Sequence, residues 1–269
     1  MYLDTIDHFA ALAANKAAAA RASLPAFTVA AMMAGVYVGL GIILIFSVGA
    51  TIDPGWRRLV MGASFGIALT LVVFAGSELY TGHTMIMPIG RLRGRVSMAD
   101  LGRVWALGWA GNLIGAVLLA LIFVAGGGGV LLGDGAALLQ KVAAAKMNAP
   151  ASELVARAIL CNWLVCLALW MAARTSSDTA RLGVIFWCLF AFIASGYEHS
   201  IANMTVFSIA LLAEHGEAVS LAGMAHNLLW VTLGNTFAGT LFMATGYWFA
   251  SKPALAAQSA ASAEAAPAR

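Results

Sequence analysis

The sequence predicts an all-α membrane protein whose six transmembrane helices form a 3+3 inverted repeat with broken second and fifth helices. Hydrophobic residues make up 62% of the 269-residue chain, charged residues only 10%, and the mean hydropathy is +0.88. A soluble domain usually carries about 25% charged residues. Apolar runs of membrane-spanning length recur along the chain, and two are interrupted by similar polar clusters. The composition therefore indicates a polytopic membrane protein, and the paired interruptions indicate a duplication.

Charge and cysteine content narrow the class of protein further. The net charge of +3 does not suggest a nucleic-acid partner, and the basic residues fall between the apolar runs. Cys161, Cys166 and Cys188 all lie within apolar runs, which predicts buried thiols rather than a disulfide or metal framework. The start of the chain lacks the pattern of a cleavable signal peptide, and we expect no cofactor.

The two ends of the chain are predicted to lie outside the membrane core. Residues 1–25 predict an amphipathic cytoplasmic helix, because apolar side chains recur at three- and four-residue spacing at Tyr2, Leu3, Ile6, Phe9, Ala10 and Ala13. This helix can lie on the bilayer or pack on the protein's own cytoplasmic face, and the sequence favours neither. Residues 251–269, rich in Ala, Ser and Pro, predict a disordered cytoplasmic tail.

The membrane domain is predicted over residues 26–250, with repeats at 26–125 and 152–250. Spans are expected at residues 27–50, from 59, at 104–124, 154–173, 182–213 and 221–250, with a short interfacial stretch at 136–152. Gly35 and Gly39 lie four residues apart in the first span, a spacing that lets helix backbones approach closely.

The fifth span contains a polar stretch, residues 195–204, in which Glu198 and His199 stand together at membrane depth. Ionisable groups there are costly and mark a functional site by default. Gly, Ser and Asn are weak helix formers, so we expect the helix to break over residues 196–203. Irregular backbone inside a bilayer persists only where it is buried in protein or lines a cavity. The stretch therefore predicts a pore or binding site near the midplane.

A similar interruption follows residue 75 in the second span. Ala-Gly-Ser-Glu78 matches Ser-Gly-Tyr-Glu198, and a Gly-Asn pair follows in the next span of each half, ending at Asn112 and Asn235. From Glu to Asn is 34 positions in the first half (78 to 112) and 37 in the second (198 to 235). A duplicated three-span unit is necessarily inverted, and paired broken helices in inverted halves point to a midplane site.

Basic residues predict the orientation. With both termini inside, ten Lys and Arg residues fall in cytoplasmic segments: Lys16, Arg21, Arg91, Arg93, Arg95, Arg103, Arg174, Arg181, Lys252 and Arg269. Five fall outside: Arg57, Arg58, Lys141, Lys146 and Arg157. This asymmetry indicates six spans with both ends in the cytoplasm.

Four stretches resemble the formate/nitrite transporter family: SELYTGHT at 77–84, CNWLVCLA at 161–168, ASGYEHSIANM at 194–204 and VTLGN at 231–235. The resemblance covers nearly the whole chain, and the first stretch is similar to the nitrite channel branch. It implies an aquaporin-like protomer with one pore, assembled as a homopentamer in the lipid bilayer of a bacterial cytoplasmic membrane. The implied substrate is a small monovalent anion, nitrite, and protons are expected as further partners.

The resemblance assigns residues to this pore. A dry pore opposes an anion through desolvation, and His199 could lower the barrier by carrying positive charge or by exchanging a proton with the anion. The alternative is a structural histidine that joins the broken ends. The resemblance places Thr81 opposite His199, and Lys146 in the outer vestibule, where its charge would concentrate anions. It also implies apolar constrictions, at positions otherwise assigned to the core: Phe65, Leu69, Leu79, Tyr80, Val165 and Phe192.

Other polar residues have two interpretations. Asn162 and Asn235 match pore-lining asparagines, and interhelical hydrogen bonding explains them almost as well. Glu78 and Glu198 are expected to be structural, accepting backbone N–H groups that the breaks set free, with a proton relay as the alternative. Tyr80 stands where the family commonly has Phe, so a more polar constriction is expected there.

The first break is also the predicted gate. Gly76 and Gly82 bracket the loop at residues 77–81, which is expected to move, and Pro88 is expected near the start of the resumed helix. Transport of formate or hydrosulfide remains an alternative. An intramembrane metalloenzyme is a further one, built from Glu78, His83, Glu198, His199 and His226; no HExxH pair supports it.

Overall fold

A computed structural model describes residues 2–252, and every regular element within them is helical. The first half contains α1 (Leu3–Ala22), α2 (Leu24–Thr51), α3 (Arg57–Ser64), α4 (Gly66–Leu71), α5 (Tyr80–Leu92) and α6 (Met98–Ala125). The second contains α7 (Gly129–Leu132), α8 (Ala136–Met147), α9 (Ala151–Ala172), α10 (Asp178–Ala194), α11 (Ser200–Leu212), α12 (Leu221–Phe237) and α13 (Gly246–Ala250). π-Helical stretches at Val72–Gly76 and Ala238–Thr245 continue α4 and α12. All but two residues of the predicted tail lie outside the described part.

Five helical segments are long and apolar enough to cross a membrane: Leu24–Thr51, Arg57–Gly76, Met98–Ala125, Ala151–Ala172 and Leu221–Ala250. The prediction of an all-α membrane protein is confirmed. The expected fifth span does not meet that length, because its break divides it into α10, with 17 residues, and α11, with 13. A continuous helix needs about 20 residues to cross the hydrocarbon core.

Helices α2 and α6 approach each other at the backbone. A side chain at Gly35 would overlap the carbonyl group of Asn112, and one at Gly115 would overlap the carbonyl group of Met32. Small residues make such contacts possible between membrane helices, where packing rather than the hydrophobic effect drives association. The contact matters for the site because it places Asn112 beside the first break.

Helix α1 packs on the rest of the protein through the apolar face that the sequence predicts. Ile6 and Ala13 are fully buried, in a cluster shared with residues of α5, α6 and α9. Phe9 stacks on Trp170 of α9 at 5.7 Å between ring centroids. The sequence left open whether this helix lies on the bilayer or packs on the protein. In the structure it packs on the protein.

A glycine in the left-handed region, where residues with a Cβ are strained, stands at the start of each break: Gly76 at φ +79° and Gly196 at φ +74°. The first break is extended over residues 77–79, and the second runs over residues 195–199. Both are shorter than expected, because the helices resume at Tyr80 and Ser200. The expectations of a loop to residue 81 and of a break to residue 203 are therefore wrong.

Pro88 lies in the interior of α5 and not near its start, so that expectation is wrong too. A proline inside a helix leaves the carbonyl group four residues earlier without its usual N–H partner. Here that carbonyl belongs to Thr84, and the Thr240 hydroxyl donates to it at 3.2 Å. A neighbouring helix thus satisfies the freed group, which is how proline is tolerated inside membrane helices.

Candidate functional site

Asn112 of α6 clamps the first break. Its Oδ1 accepts the backbone N–H of Tyr80 at 2.9 Å, which satisfies the first turn of α5. Its Nδ2 donates to the carbonyl oxygen of Glu78 at 2.9 Å and to that of Ala31 at 2.7 Å. One fully buried amide therefore ties the break to α2 and α6.

Asn235 of α12 clamps the second break in the same way. Its Oδ1 accepts the N–H of Ser200 at 2.9 Å, and its Nδ2 donates to the carbonyl oxygens of Glu198 at 3.0 Å and Ala158 at 2.8 Å. The two halves repeat this set of hydrogen bonds atom for atom. The whole Asn235 amide is engaged within the protein, and its role in lining the pore stays a prediction.

The two carboxylates of the breaks have side-chain partners. Glu78 Oε2 lies 2.6 Å from Lys16 Nζ and 2.7 Å from His83 Nε2. This corrects the expectation that the carboxylate accepts freed backbone N–H groups, since the Asn112 amide already accepts the N–H group at the start of α5. The N–H of Glu78 itself donates to the Ala30 carbonyl oxygen.

Glu198 repeats the arrangement in the second half, with the same correction. Its Oε1 lies 2.9 Å from Lys146 Nζ, and its Oε2 accepts from Asn203 Nδ2 at 2.6 Å. Each Glu thus pairs with a lysine from the helix that precedes the first span of its half, and with a residue five positions later. Each break therefore carries a largely neutralised acid rather than a free charge.

Three cavities lie in series through the protein. The α1-side vestibule, with Lys16, Glu78 and His83 in its wall, has a volume of about 640 Å³. The Lys146-side vestibule, with Lys146 and Arg58 in its wall, has a volume of about 270 Å³. Between them is a central chamber of about 10 Å³, room for one water molecule at most.

The central chamber brings together most of the predicted constriction residues with the predicted histidine: Phe65, Leu69, Leu79, Val165, Phe192 and His199. Leu79 also lines the α1-side vestibule, and Phe192 and His199 also line the Lys146-side vestibule. These shared residues therefore separate the chamber from the vestibules on its two sides.

Tyr80 is the predicted constriction residue that the structure places elsewhere. Its hydroxyl lies 2.8 Å from Thr236 Oγ1 on α12, and its ring meets Trp105 edge to face. It does not line the central chamber. The side chain turns away because Tyr80 opens α5, whereas Leu79 is still in the extended break.

His199 is a buried N-cap whose hydrogen bonds indicate its tautomer. Its Nδ1 accepts the backbone N–H of Ala202 at 3.1 Å. In a neutral imidazole the proton then resides on Nε2, which lies 3.2 Å from Thr81 Oγ1 and donates to it. The ring also stacks on Phe192 at 5.9 Å. The apolar chamber thus has one N–H donor in its wall, held in place through the other ring nitrogen.

Asn162 links the first turns of α5, directly after the first break, to the second half. Its Nδ2 lies 2.9 Å from Thr84 Oγ1, 3.4 Å from the Thr81 carbonyl oxygen and 2.6 Å from the Asn235 carbonyl oxygen. Its Oδ1 is buried and has no hydrogen-bond partner among the described residues. The structure thus brings Thr81, His199, Asn162 and Asn235 into one buried polar group.

Some residues of this site were not proposed from sequence. Lys16 and Thr236 contact the first break only because α1 and α12 dock there, and no local pattern indicates either contact. Asn203 lies in the polar stretch that the sequence analysis singled out, but only the structure pairs it with Glu198. Among residues 2–252, no three His, Cys, Asp or Glu side chains group as a metal site requires.

Membrane-spanning helices, two clamped breaks and a buried histidine between two vestibules define a membrane channel or transporter. The model of the formate/nitrite transporter family matches residues 4–249, and the chain belongs to this family. This confirms the predicted class, a transport protein and not an enzyme.

Relatives and solved structures agree with this assignment. The "Nitrite transporter NirC" proteins of Salmonella typhimurium LT2 and Escherichia coli K12 are each 53% identical, with 93% and 94% of both chains covered. The "Formate channel BtFdhC" of Bacillus thuringiensis is 31% identical, covering 84% of this chain and 87% of its own. A solved "FNT family ion channel" has a TM-score of 0.89 at 53% identity and covers 92% of this chain and 99% of its own. A "Pentameric formate channel with formate bound" has a TM-score of 0.73 at 26% identity, with 86% and 98% covered.

Proposed function

We propose that the protein transports nitrite across a bacterial cytoplasmic membrane, as a homopentamer with one pore per protomer. The observation that carries the proposal is the N–H donor of His199 in the wall of an apolar chamber between two vestibules. The names of the relatives at 53% identity support nitrite as the substrate. The pentameric formate channel of similar fold supports the assembly.

In the proposed mechanism, the pore replaces part of the anion's hydration at the narrowest point. An anion in an apolar passage loses most of its solvation, and a fixed donor recovers some of that loss. His199 Nε2–H would donate to the anion when Thr81 releases it. A net proton transfer to the anion would also require His199 Nδ1 to release the Ala202 N–H and take up a proton.

The orientation forms part of the proposal. Both termini are cytoplasmic, residues 1–25 contain the cytoplasmic helix α1, and residues 26–250 form the channel domain. The α1-side vestibule then faces the cytoplasm, and the Lys146-side vestibule faces outward. Lys146, Arg57 and Arg58 in that outer wall favour the entry of anions.

The test is uptake into proteoliposomes across a panel of nitrite, formate and hydrosulfide, at several pH values. We expect nitrite to be the preferred anion and His199→Ala to lower its flux or change its pH response. His215→Ala, in an exposed loop, is the matched control. Faster transport of formate or hydrosulfide would overturn nitrite as the substrate. An unchanged flux and pH response in His199→Ala would remove His199 from the mechanism.

A further inference from the structure

Directly after the first break, the hydroxyl group of Tyr80 joins the start of α5 to the second half of the protein. We propose that Tyr80 is a positioning residue of the pore. Its hydrogen bond to Thr236 holds the first break in the narrow state, with Leu79 against the chamber and Thr81 on His199. The inference rests on the proposed transport function, because it assigns the residue that sets the width of that pathway.

The hydrogen-bond direction makes this contact specific. The Thr236 hydroxyl donates its single proton to the carbonyl oxygen of Thr232 at 2.7 Å. Tyr80 must therefore be the donor in the 2.8 Å contact with Thr236 Oγ1. Tyr80 is only 5% exposed, so little water can replace this partner. Phenylalanine at this position would keep the ring and lose only the bond.

The second break has no equivalent of this bond. By the matching amide clamps, Ser200 corresponds to Tyr80, because each donates its N–H to the asparagine of its own half. The Ser200 hydroxyl is buried without a hydrogen-bond partner among the described residues. Both breaks therefore share the backbone clamp, but among the described residues the side-chain bond from this position to a helix of the other half is made by Tyr80 and not by Ser200.

The position of Tyr80 in the chain lets it control two residues of the pathway at once. It lies between Leu79, which separates the chamber from the α1-side vestibule, and Thr81, which occupies the Nε2–H of His199. The chamber holds one water molecule at most, so an anion can pass only after the walls move. A bond that holds Tyr80 therefore disfavours the wider state.

Helix α12 provides an internal control for this bond. Thr232 lies one helical turn before Thr236 on the same face and accepts from Trp109 Nε1 at 3.1 Å. This contact also joins α12 to the first half, but its donor lies on α6 and not beside the first break. Thr232→Val therefore removes a similar bond without touching Tyr80.

The experiment measures nitrite uptake by proteoliposomes containing the full chain or a variant, at matched oligomer yield. The variants are Tyr80→Phe, Thr236→Val, their double mutant, Thr236→Ser and the control Thr232→Val. We expect Tyr80→Phe and Thr236→Val each to raise the flux about threefold, as loss of one side-chain bond between membrane helices predicts. The double mutant should match the single mutants, Thr236→Ser should retain the wild-type flux, and Thr232→Val should leave the flux unchanged.

The outcomes separate this inference from the proposed function. Absence of nitrite uptake by the wild-type protein would defeat the proposed function itself. Wild-type uptake with no rise in Tyr80→Phe and Thr236→Val would overturn the positioning role, as would an equal rise in Thr232→Val. If Tyr80→Phe fails to assemble, Thr236→Val removes the same bond from the other side, and Thr236→Ser restores it.

Discussion

At the scale of single residues, Lys146 and Glu198 act as a unit. The Glu198 side chain is 3% exposed and the Lys146 side chain 21%, with 2.9 Å between Nζ and Oε1. Removing one partner of a buried ion pair leaves an uncompensated charge, which costs more than the pair contributes. The effect of Lys146 on transport therefore has a structural part and an electrostatic part, and these must be separated.

We predict that Lys146→Gln lowers stability by about 3 kcal/mol and lowers nitrite flux most at low ionic strength. Adding Glu198→Gln should restore the stability and most of the low-salt flux, because no lone carboxylate is left and the site regains the zero net charge of the pair. Thermal melting and uptake at two salt concentrations measure the two parts. Lys141→Gln, exposed on the same helix, is the control. A loss of flux that is independent of salt would make Lys146 purely structural.

At the scale of the elements, the α2–α6 contact supports the first break. Asn112 clamps that break, and its own carbonyl group lies against Gly35 of α2. A methyl group at Gly35 has to displace backbone rather than a flexible side chain. The displacement would therefore reach the clamp as well as the helix pair.

Gly35→Ala is predicted to destabilise the protein by about 3 kcal/mol, the upper end for overpacking in a tight core. Gly102→Ala, on α6, the partner helix of α2, meets nothing within 4 Å of its new Cβ. It should be neutral or stabilising by about 0.5 kcal/mol, because alanine restricts the unfolded chain. Melting of the detergent-solubilised protein distinguishes them. Equal effects would show that the α2–α6 approach does not limit stability.

At the scale of the whole molecule, α1 belongs to the pore structure. It is tied to the first half by ion pairs of Asp7 with Arg93, Lys16 with Glu78 and Arg21 with Asp100. The Lys16 pair reaches the first break in the same way that Lys146 of α8 reaches the second. Each half of the protein thus contributes a lysine from the helix that precedes its first span.

We predict that Lys16→Gln changes the pH response of nitrite flux without abolishing transport. Lys16 and His83 share the Glu78 carboxylate, so the loss of Lys16 leaves the carboxylate with His83 as its remaining side-chain partner. Deletion of residues 2–20 should likewise change the pH response of nitrite flux without abolishing transport. The control is Arg21→Gln, which removes the ion pair with Asp100, a pair that does not involve the first break. Uptake between acidic and neutral pH measures the effect, and identical profiles for wild type and Lys16→Gln would exclude it.

The sequence by itself determined the all-helical membrane fold, the places where the two breaks begin, and the presence of Glu198 and His199 in the second break. These are local properties. Hydropathy sets the spans, and glycine at positions 76 and 196 permits the left-handed backbone that ends each helix. The similarity of the two polar stretches follows from the duplication, which the sequence also shows.

Only the tertiary structure decided which partners satisfy the breaks. Asn112 and Asn235, rather than the carboxylates, accept the freed N–H groups, because their helices pass at hydrogen-bond distance. Tyr80 turns to Thr236, which lies 156 positions away in the chain. Whether a side chain lines a pore or contacts a neighbouring helix depends on where that helix lies. No local sequence pattern predicts the position of that helix.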